Sequence, residues 1–76
     1  MKVLVQNLKS QLYLSPRGDW TDKVAQADDF IVTTLAYNVA RQKTSGPFQV
    51  ILHIHETQES ITFMQGVGRA AVAGEA

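Results

Sequence analysis

Runs of apolar and β-branched residues predict strands near the start of the chain. Residues 3–8 and 12–14 are rich in strand-forming side chains, and a short polar break at Lys9-Ser10 separates them. Two such runs joined by a few polar residues are typical of a β-hairpin. We therefore interpret residues 2–14 as a hairpin.

Two further strands are predicted later in the chain, at residues 48–55 and 60–64, with a polar turn at residues 56–59 between them. Successive side chains of a strand point to opposite faces of the sheet. The first of these strands therefore presents two different faces. One face carries Phe48, Val50, Leu52 and Ile54, and the other carries Gln49, Ile51, His53 and His55.

A 3.6-residue period predicts the main helix in the middle of the chain, beginning near Thr33. Its apolar face consists of Val32, Leu35, Ala36, Val39 and Ala40. Gly46 and Pro47 predict its end, because glycine accepts a left-handed C-cap and proline cannot continue the helical hydrogen bonds.

The segment between the hairpin and the main helix predicts a turn and a short helix. Residues 15–19 contain the proline and the glycine that tight turns favour. Residues 20–27 have the composition of one or two helical turns, with Thr21 as the N-cap and Asp22 where the helix dipole favours an anion.

The predicted element order is β-β-short α-α-β-β, which indicates an α+β fold with an antiparallel sheet of about four strands and one main helix packed on one face. We expect residues 1–65 to form one domain and residues 66–76, which are rich in Gly and Ala, to form a flexible tail. The second face of the sheet is half apolar, so we expect something to cover it.

Size and charge narrow the possible functions. The chain has 76 residues and no cysteine, and one core of this size seldom supplies more than about 3–5 kcal/mol without disulfides, a metal or an oligomeric interface. Seven basic residues, scattered singly, balance seven acidic ones, which argues against nucleic acid as a partner. No apolar run approaches the roughly 18–20 residues that cross a bilayer, so we expect no membrane partner and a cytoplasmic location.

Several short elements between Asn7 and Leu52 resemble a group of small bacterial proteins of similar length. In that group a Tyr-containing hairpin is followed by a Gly-x-Trp-Thr segment, a helix and C-terminal strands. The matching residues here are Asn7, Leu12-Tyr13-Leu14, Gly18-Asp19-Trp20-Thr21, Ala27 with Phe30, Ala36, and Gln49-Val50-Ile51-Leu52. The resemblance implies the α+β fold and assigns no activity.

His53 and His55 are the candidate metal ligands, because alternation along a strand places both imidazoles on one face. Glu56 or Glu59 would have to add an oxygen ligand, since the chain has no other His and no Cys. The competing interpretation is a pair of half-buried histidines on a sheet face or at an interface, and we prefer it.

Trp20 and Asp22 are the candidate ligand-binding residues, since an indole beside carboxylates can attract a cation. The competing interpretation makes Asp22 a helix N-terminal residue and Trp20 a core or interface anchor. No serine lies in the context of an activated nucleophile, and residues 66–69 lack the remainder of a phosphate-binding loop. We identify no catalytic residues and expect no cofactor.

Two functional hypotheses follow. The preferred one is a non-catalytic protein-interaction module that binds itself, as a homodimer, or another protein. Its candidate interface residues are Tyr13, Ile51, His53, His55 and Phe63. The alternative is a small-ligand or metal-binding protein that uses His53 and His55.

Overall fold

The computed structural model describes residues 1–69, which form an antiparallel five-stranded sheet and one α-helix. This confirms the predicted α+β class. The strands lie in the order β3-β2-β1-β4-β5. Their bounds, with those of the helices, are β1 Lys2–Asn7, β2 Tyr13–Leu14, β3 Trp20–Thr21, a 3₁₀ helix Val24–Gln26, α1 Thr33–Lys43, β4 Ser45–Ile54 and β5 Glu59–Arg69.

Strands β1 and β4 pair at the middle of the sheet. Their pairing runs from Lys2, opposite His53, to Asn7, opposite Phe48. Side chains alternate between the two faces along each strand, and two residues directly opposite each other point to the same face. We call the face on which α1 packs the helix face and the other the opposite face. The buried residues of these two strands on the helix face are Val3, Val5, Phe48 and Val50, and the buried apolar pair on the opposite face is Leu4 and Ile51.

Helix α1 packs on the helix face through Ala36 and Ala40, which are both fully buried. Beside them Tyr37 contacts the ring of Phe48, with centroids 5.4 Å apart and planes tilted by 59°. Gly66 of β5 leaves the space for this contact, since a Cβ there would lie 2.8 Å from Phe48 Cζ and 2.9 Å from Tyr37 Cε1. Small residues thus let the helix approach the sheet closely.

The orientation of α1 differs from the predicted one at its first turn. Val32 and Leu35 were expected on the buried face, but both are about half exposed. Tyr37, which the apolar period did not include, packs on the core instead. Tyr37 offers a large aromatic surface for burial against the core, while Ala36, Val39 and Ala40 keep the predicted contacts.

The C-terminal end of α1 differs from the expected cap. Thr44 is extended, its N–H donates to the Ala40 carbonyl at 2.9 Å, and β4 begins at the next residue. Gly46 and Pro47, predicted to end the helix, are therefore the second and third residues of β4. Gly46 does adopt a positive φ of 97°, but it does so within the strand that leaves the helix.

The start of α1 contains a strained residue. Ile31 has a φ of 67°, and the Val32 N–H donates to the Phe30 carbonyl at 2.6 Å, which is the pattern of a γ-turn. A positive φ is an outlier for a β-branched residue. Val32 is the N-cap and provides no side-chain hydrogen bond to the helix.

The predicted helix at residues 20–27 is wrong over most of its length. Trp20 and Thr21 form β3, which pairs with Leu14 and Tyr13, and only Val24–Gln26 is helical, as a single 3₁₀ turn. The Thr21 hydroxyl accepts from the Lys23 N–H at 3.1 Å. Thr21 therefore closes a local turn instead of capping a helix, because pairing with β2 holds its backbone extended.

The segment that follows β3 covers part of the opposite face. Ala27 is buried with Leu4 and Ile51, and Val24 packs against them. The chain then passes the edge of β1, where the Phe30 N–H donates to the Val3 carbonyl at 2.9 Å and the Asp29 carboxylate accepts the Val3 N–H at 3.0 Å. The protein thus buries in its own chain part of the face that we expected something to cover.

Strand β5 is longer than predicted. It begins at Glu59 and ends at Arg69, so residues 66–69, which we assigned to a flexible tail, belong to the sheet. The remainder of the predicted tail, residues 70–76, lies outside the described residues. Gly68 explains why composition was misleading here: a Cβ at this position would overlap the Thr44 carbonyl, so glycine is a packing requirement of the sheet.

We predict that Gly68→Ala lowers the free energy of unfolding by about 1–3 kcal/mol, because the added methyl group must displace the backbone at Thr44. Urea denaturation followed by the fluorescence of Trp20, the single tryptophan, measures the change. Val67→Ala is the matched control, since Val67 is an exposed neighbour on the same strand. Equal stability of the Gly68→Ala variant and the wild type would contradict this packing.

We predict that Ile31→Gly stabilises the protein by about 0.5–1 kcal/mol, because relief of left-handed strain of roughly 1–2 kcal/mol exceeds the entropic cost of glycine. The Ile31 side chain is 79% exposed, so little burial is lost. Ile31→Ala is the control, since it removes the branch but retains a Cβ. Thermal denaturation that ranks the alanine variant above the glycine variant would show that the positive φ is not the source of strain.

Candidate interaction surface

The outer edge of β5 is the most extensive unpaired backbone in the part of the chain that the structure describes. β5 has 11 residues and is the last strand of the sheet, paired with β4 on one side only. The opposite end of the sheet is β3, which has only two residues. A long free edge presents a row of N–H and C=O groups to which another strand can bind.

The side chains of β5 do not protect this edge. Natural edge strands are commonly shielded by Lys, Pro or inward-pointing charges, and β5 contains no Lys or Pro. Its only charged residues are Glu59 and Arg69, which are its first and last residues. Three of the large hydrophobic residues that are exposed in residues 1–69 lie on this strand: Ile61, Phe63 and Val67.

A β-bulge at Phe63 divides β5 into two regular runs. Val50 lies opposite Met64 while Ile51 lies opposite Thr62, so Phe63 has no partner on β4. The extra residue reverses the alternation along the strand. Ile61 consequently lies on the helix face opposite Leu52, whereas Val67 lies on the opposite face, across from Pro47.

A second exposed apolar group lies at the start of α1 and consists of Ile31, Val32 and Leu35. These residues belong to no strand and so carry no free strand edge: Val32 is the N-cap of α1, and the helix begins at Thr33. Leu35 is 52% exposed, the same fraction as Phe63. The two residues are therefore suited to a matched comparison of the two surfaces.

The predicted interface residues have different positions in the structure. Phe63 is exposed on β5, and His55 is exposed in the turn between β4 and β5. Ile51 and His53 are only 2% and 5% exposed, and Tyr13 is half-buried against the cluster that contains Leu4. The strand period identified the face that carries Ile51 but could not show that residues 24–27 fold over it.

His53 and His55 do not share one strand face as expected. β4 ends at Ile54, so His55 is a turn residue. His53 is buried, and its Nδ1 lies 2.9 Å from the Ser60 hydroxyl oxygen. Within residues 1–69, no group of three or more His, Cys, Asp or Glu side chains is arranged to hold a metal ion.

The candidate ligand-binding residues Trp20 and Asp22 do not line a common cleft either. Trp20 packs on the core of the helix face and lines an open surface cleft of about 570 Å³, together with Arg17 and Asp19. Asp22 is exposed and does not line this cleft. The carboxylate of Asp29 accepts the Ile31 N–H at 3.0 Å as well as the Val3 N–H, so it has a structural role.

A row of polar side chains on the opposite face was not apparent from the sequence. The Gln49 amide donates to Gln6 Oε1 at 2.6 Å, and the Thr62 hydroxyl donates to Gln49 Oε1 at 2.8 Å. The Gln6 amide in turn donates to the Gln11 carbonyl at 3.2 Å. This row joins β1, β4 and β5 and directs the Thr62 side chain toward the sheet, so it is not free for a partner.

A cleft of about 560 Å³ lies between the last turns of α1 and the end of β5. Its lining residues are Asn38, Arg41, Gln42 and Arg69. Each of these side chains offers N–H donors, and none is acidic. The cleft is therefore electrostatically suited to an anionic group.

Comparison with known proteins does not connect this surface to a recorded activity. No protein-family model matches the chain. No curated protein and no solved structure gives a significant match. Among residues 1–69 there is no helix of sufficient length and apolar character to span a bilayer. Within residues 1–69, its length, free backbone groups and exposed apolar side chains distinguish the edge of β5 from the other surfaces.

Proposed function

We propose that this protein is a non-catalytic interaction module that associates with itself through the outer edge of β5. The observation that carries the proposal is an unpaired 11-residue edge on which Ile61 and Phe63 are each more than half exposed. Strand addition at such an edge gains main-chain hydrogen bonds, and the neighbouring apolar side chains gain burial.

The opposite charges at the two ends of β5 favour a second copy of the chain as the partner. Two β5 strands that pair antiparallel bring Glu59 of each copy to the Arg69 end of the other, and a parallel arrangement would bring like charges together. Antiparallel pairing is also what a two-fold axis perpendicular to the sheet generates, and two-fold dimers are the commonest protein oligomers. Charge and symmetry therefore favour the same arrangement.

The bulge is compatible with this pairing when it lies at the centre of the interface. The run before Phe63 and the run after it are each regular. In an antiparallel dimer the first run of one copy lies against the second run of the other, and the same contact is repeated by symmetry. Beyond Met64, the glycines at 66 and 68 leave the second run without side chains on the helix face, so the partner's Ile61 can pack over this part of it.

The size of the core gives a further reason for association. The chain has a mass of 8.4 kDa and no cysteine, and domains of this size commonly gain stability from an oligomeric interface. Residues 24–27 already cover part of the opposite face. The edge of β5 is thus the surface whose burial would add most to the hydrogen bonding of the sheet.

We predict that Phe63→Lys raises the dissociation constant of the dimer at least tenfold, because a charge at the centre of the interface must be desolvated and an apolar contact is lost. Sedimentation velocity over a wide concentration series measures the constant. Leu35→Lys is the matched control, because it places the same charge at a site of equal exposure on α1. Circular dichroism and Trp20 fluorescence verify that both variants are folded.

The possible results distinguish an interface at the edge of β5 from one on the surface of α1. Loss of the dimer in Phe63→Lys with retention in Leu35→Lys supports the proposal. Loss in Leu35→Lys alone would place the interface on α1 and contradict the edge of β5. A wild-type protein that sediments as a monomer at every concentration would contradict self-association itself.

A further inference from the structure

We infer that the cleft lined by Asn38, Arg41, Gln42 and Arg69 receives the Glu59 carboxylate of a second copy of the chain. This inference rests on the proposed self-association and specifies its orientation and its charged contact. In this arrangement the cleft binds a carboxylate, and the two charged residues of β5, Glu59 and Arg69, lie at the contact between the two copies.

The cleft has the chemistry of a carboxylate site. Arg41 and Arg69 provide guanidinium groups, which match a carboxylate with paired N–H donors, and Asn38 and Gln42 provide amide donors. Arg41 is partly buried, which holds its side chain in place more firmly than that of a fully exposed arginine. No acidic side chain of residues 1–69 lines the cleft.

The Glu59 side chain cannot reach the cleft of its own chain. Glu59 pairs with Ile54 at the turn end of the β4–β5 hairpin, whereas Arg69 pairs with Ser45 at the open end. Ten residue steps along a strand separate the two by roughly 33 Å. A contact between them must therefore join two different molecules.

Antiparallel pairing of two β5 strands brings Glu59 to the face on which α1 contributes Arg41 to the cleft. Arg69 lies opposite Ser45, on the other face by alternation, and lines the cleft from the end of the strand. Glu59 lies opposite Ile54, which alternation places on the same face as Val50 and Leu52. That is the helix face, where α1 carries Arg41. A two-fold axis perpendicular to the sheet retains the helix faces of both copies on one side, so the partner's Glu59 emerges beside the end of α1.

Charge-reversal variants test the contact. Glu59→Arg and Arg69→Glu each place like charges at both symmetric ends of the dimer, and each is expected to raise the dissociation constant at least tenfold. Glu59→Arg mixed with Arg69→Glu is expected to form a heterodimer, because both ends are then attractive. The double variant Glu59→Arg with Arg69→Glu is expected to recover the homodimer. Native mass spectrometry distinguishes these species by mass.

Glu56→Arg is the matched control for this experiment. Glu56 is an exposed acidic residue in the turn before β5, so the substitution makes the same change of charge just outside the strand. We expect it to leave the dissociation constant within about twofold of the wild type, since charges that are not in direct contact contribute little at physiological salt.

The possible results distinguish failure of the Glu59 contact from failure of self-association. If Phe63→Lys abolishes the dimer but neither single charge reversal changes its dissociation constant, self-association stands and the Glu59 contact is wrong. A wild-type protein that is monomeric overturns both. Recovery of the homodimer by the double variant supports the inference.

Discussion

The pairing of β1 with β4 is the interaction on which the rest of the structure depends. Val5 lies opposite Val50 on the helix face and Leu4 lies opposite Ile51 on the opposite face, and all four are at most 2% exposed. The two strands therefore present apolar side chains on both faces. Helix α1 needs one of these faces to bury its alanines, and the segment at residues 24–27 needs the other.

This central pairing also determines where the sheet remains open. Because β4 pairs with β1 along one edge, its other edge is available only to β5, and β5 becomes the terminal strand. The glycines of β5 allow Tyr37 and Thr44 to pack closely against this strand. Within residues 1–69, no strand pairs with its outer edge. Close packing and an unprotected edge thus coexist in one strand.

Much of the architecture was predictable because it depends on local pattern. The first hairpin, the helix beginning at Thr33 and the strand containing Val50 all follow from side-chain periodicity, which is a property of neighbouring residues. Trp20 was misassigned to a helix because its extended backbone depends on Leu14, a residue of another strand. Of the proposed site, Phe63 was identified from the sequence, but the cleft was not, because Arg41 and Arg69 are distant along the chain.

The sequence by itself determined the fold class and the absence of disulfides. It also determined that a small neutral chain would have a limited core. The tertiary structure alone decided that residues 24–27 cover Ile51, that Gly68 belongs to a strand and that β5 ends the sheet. The reason is physical: periodicity records which side of an element is apolar, whereas the neighbour that covers that side is selected by packing across the whole chain.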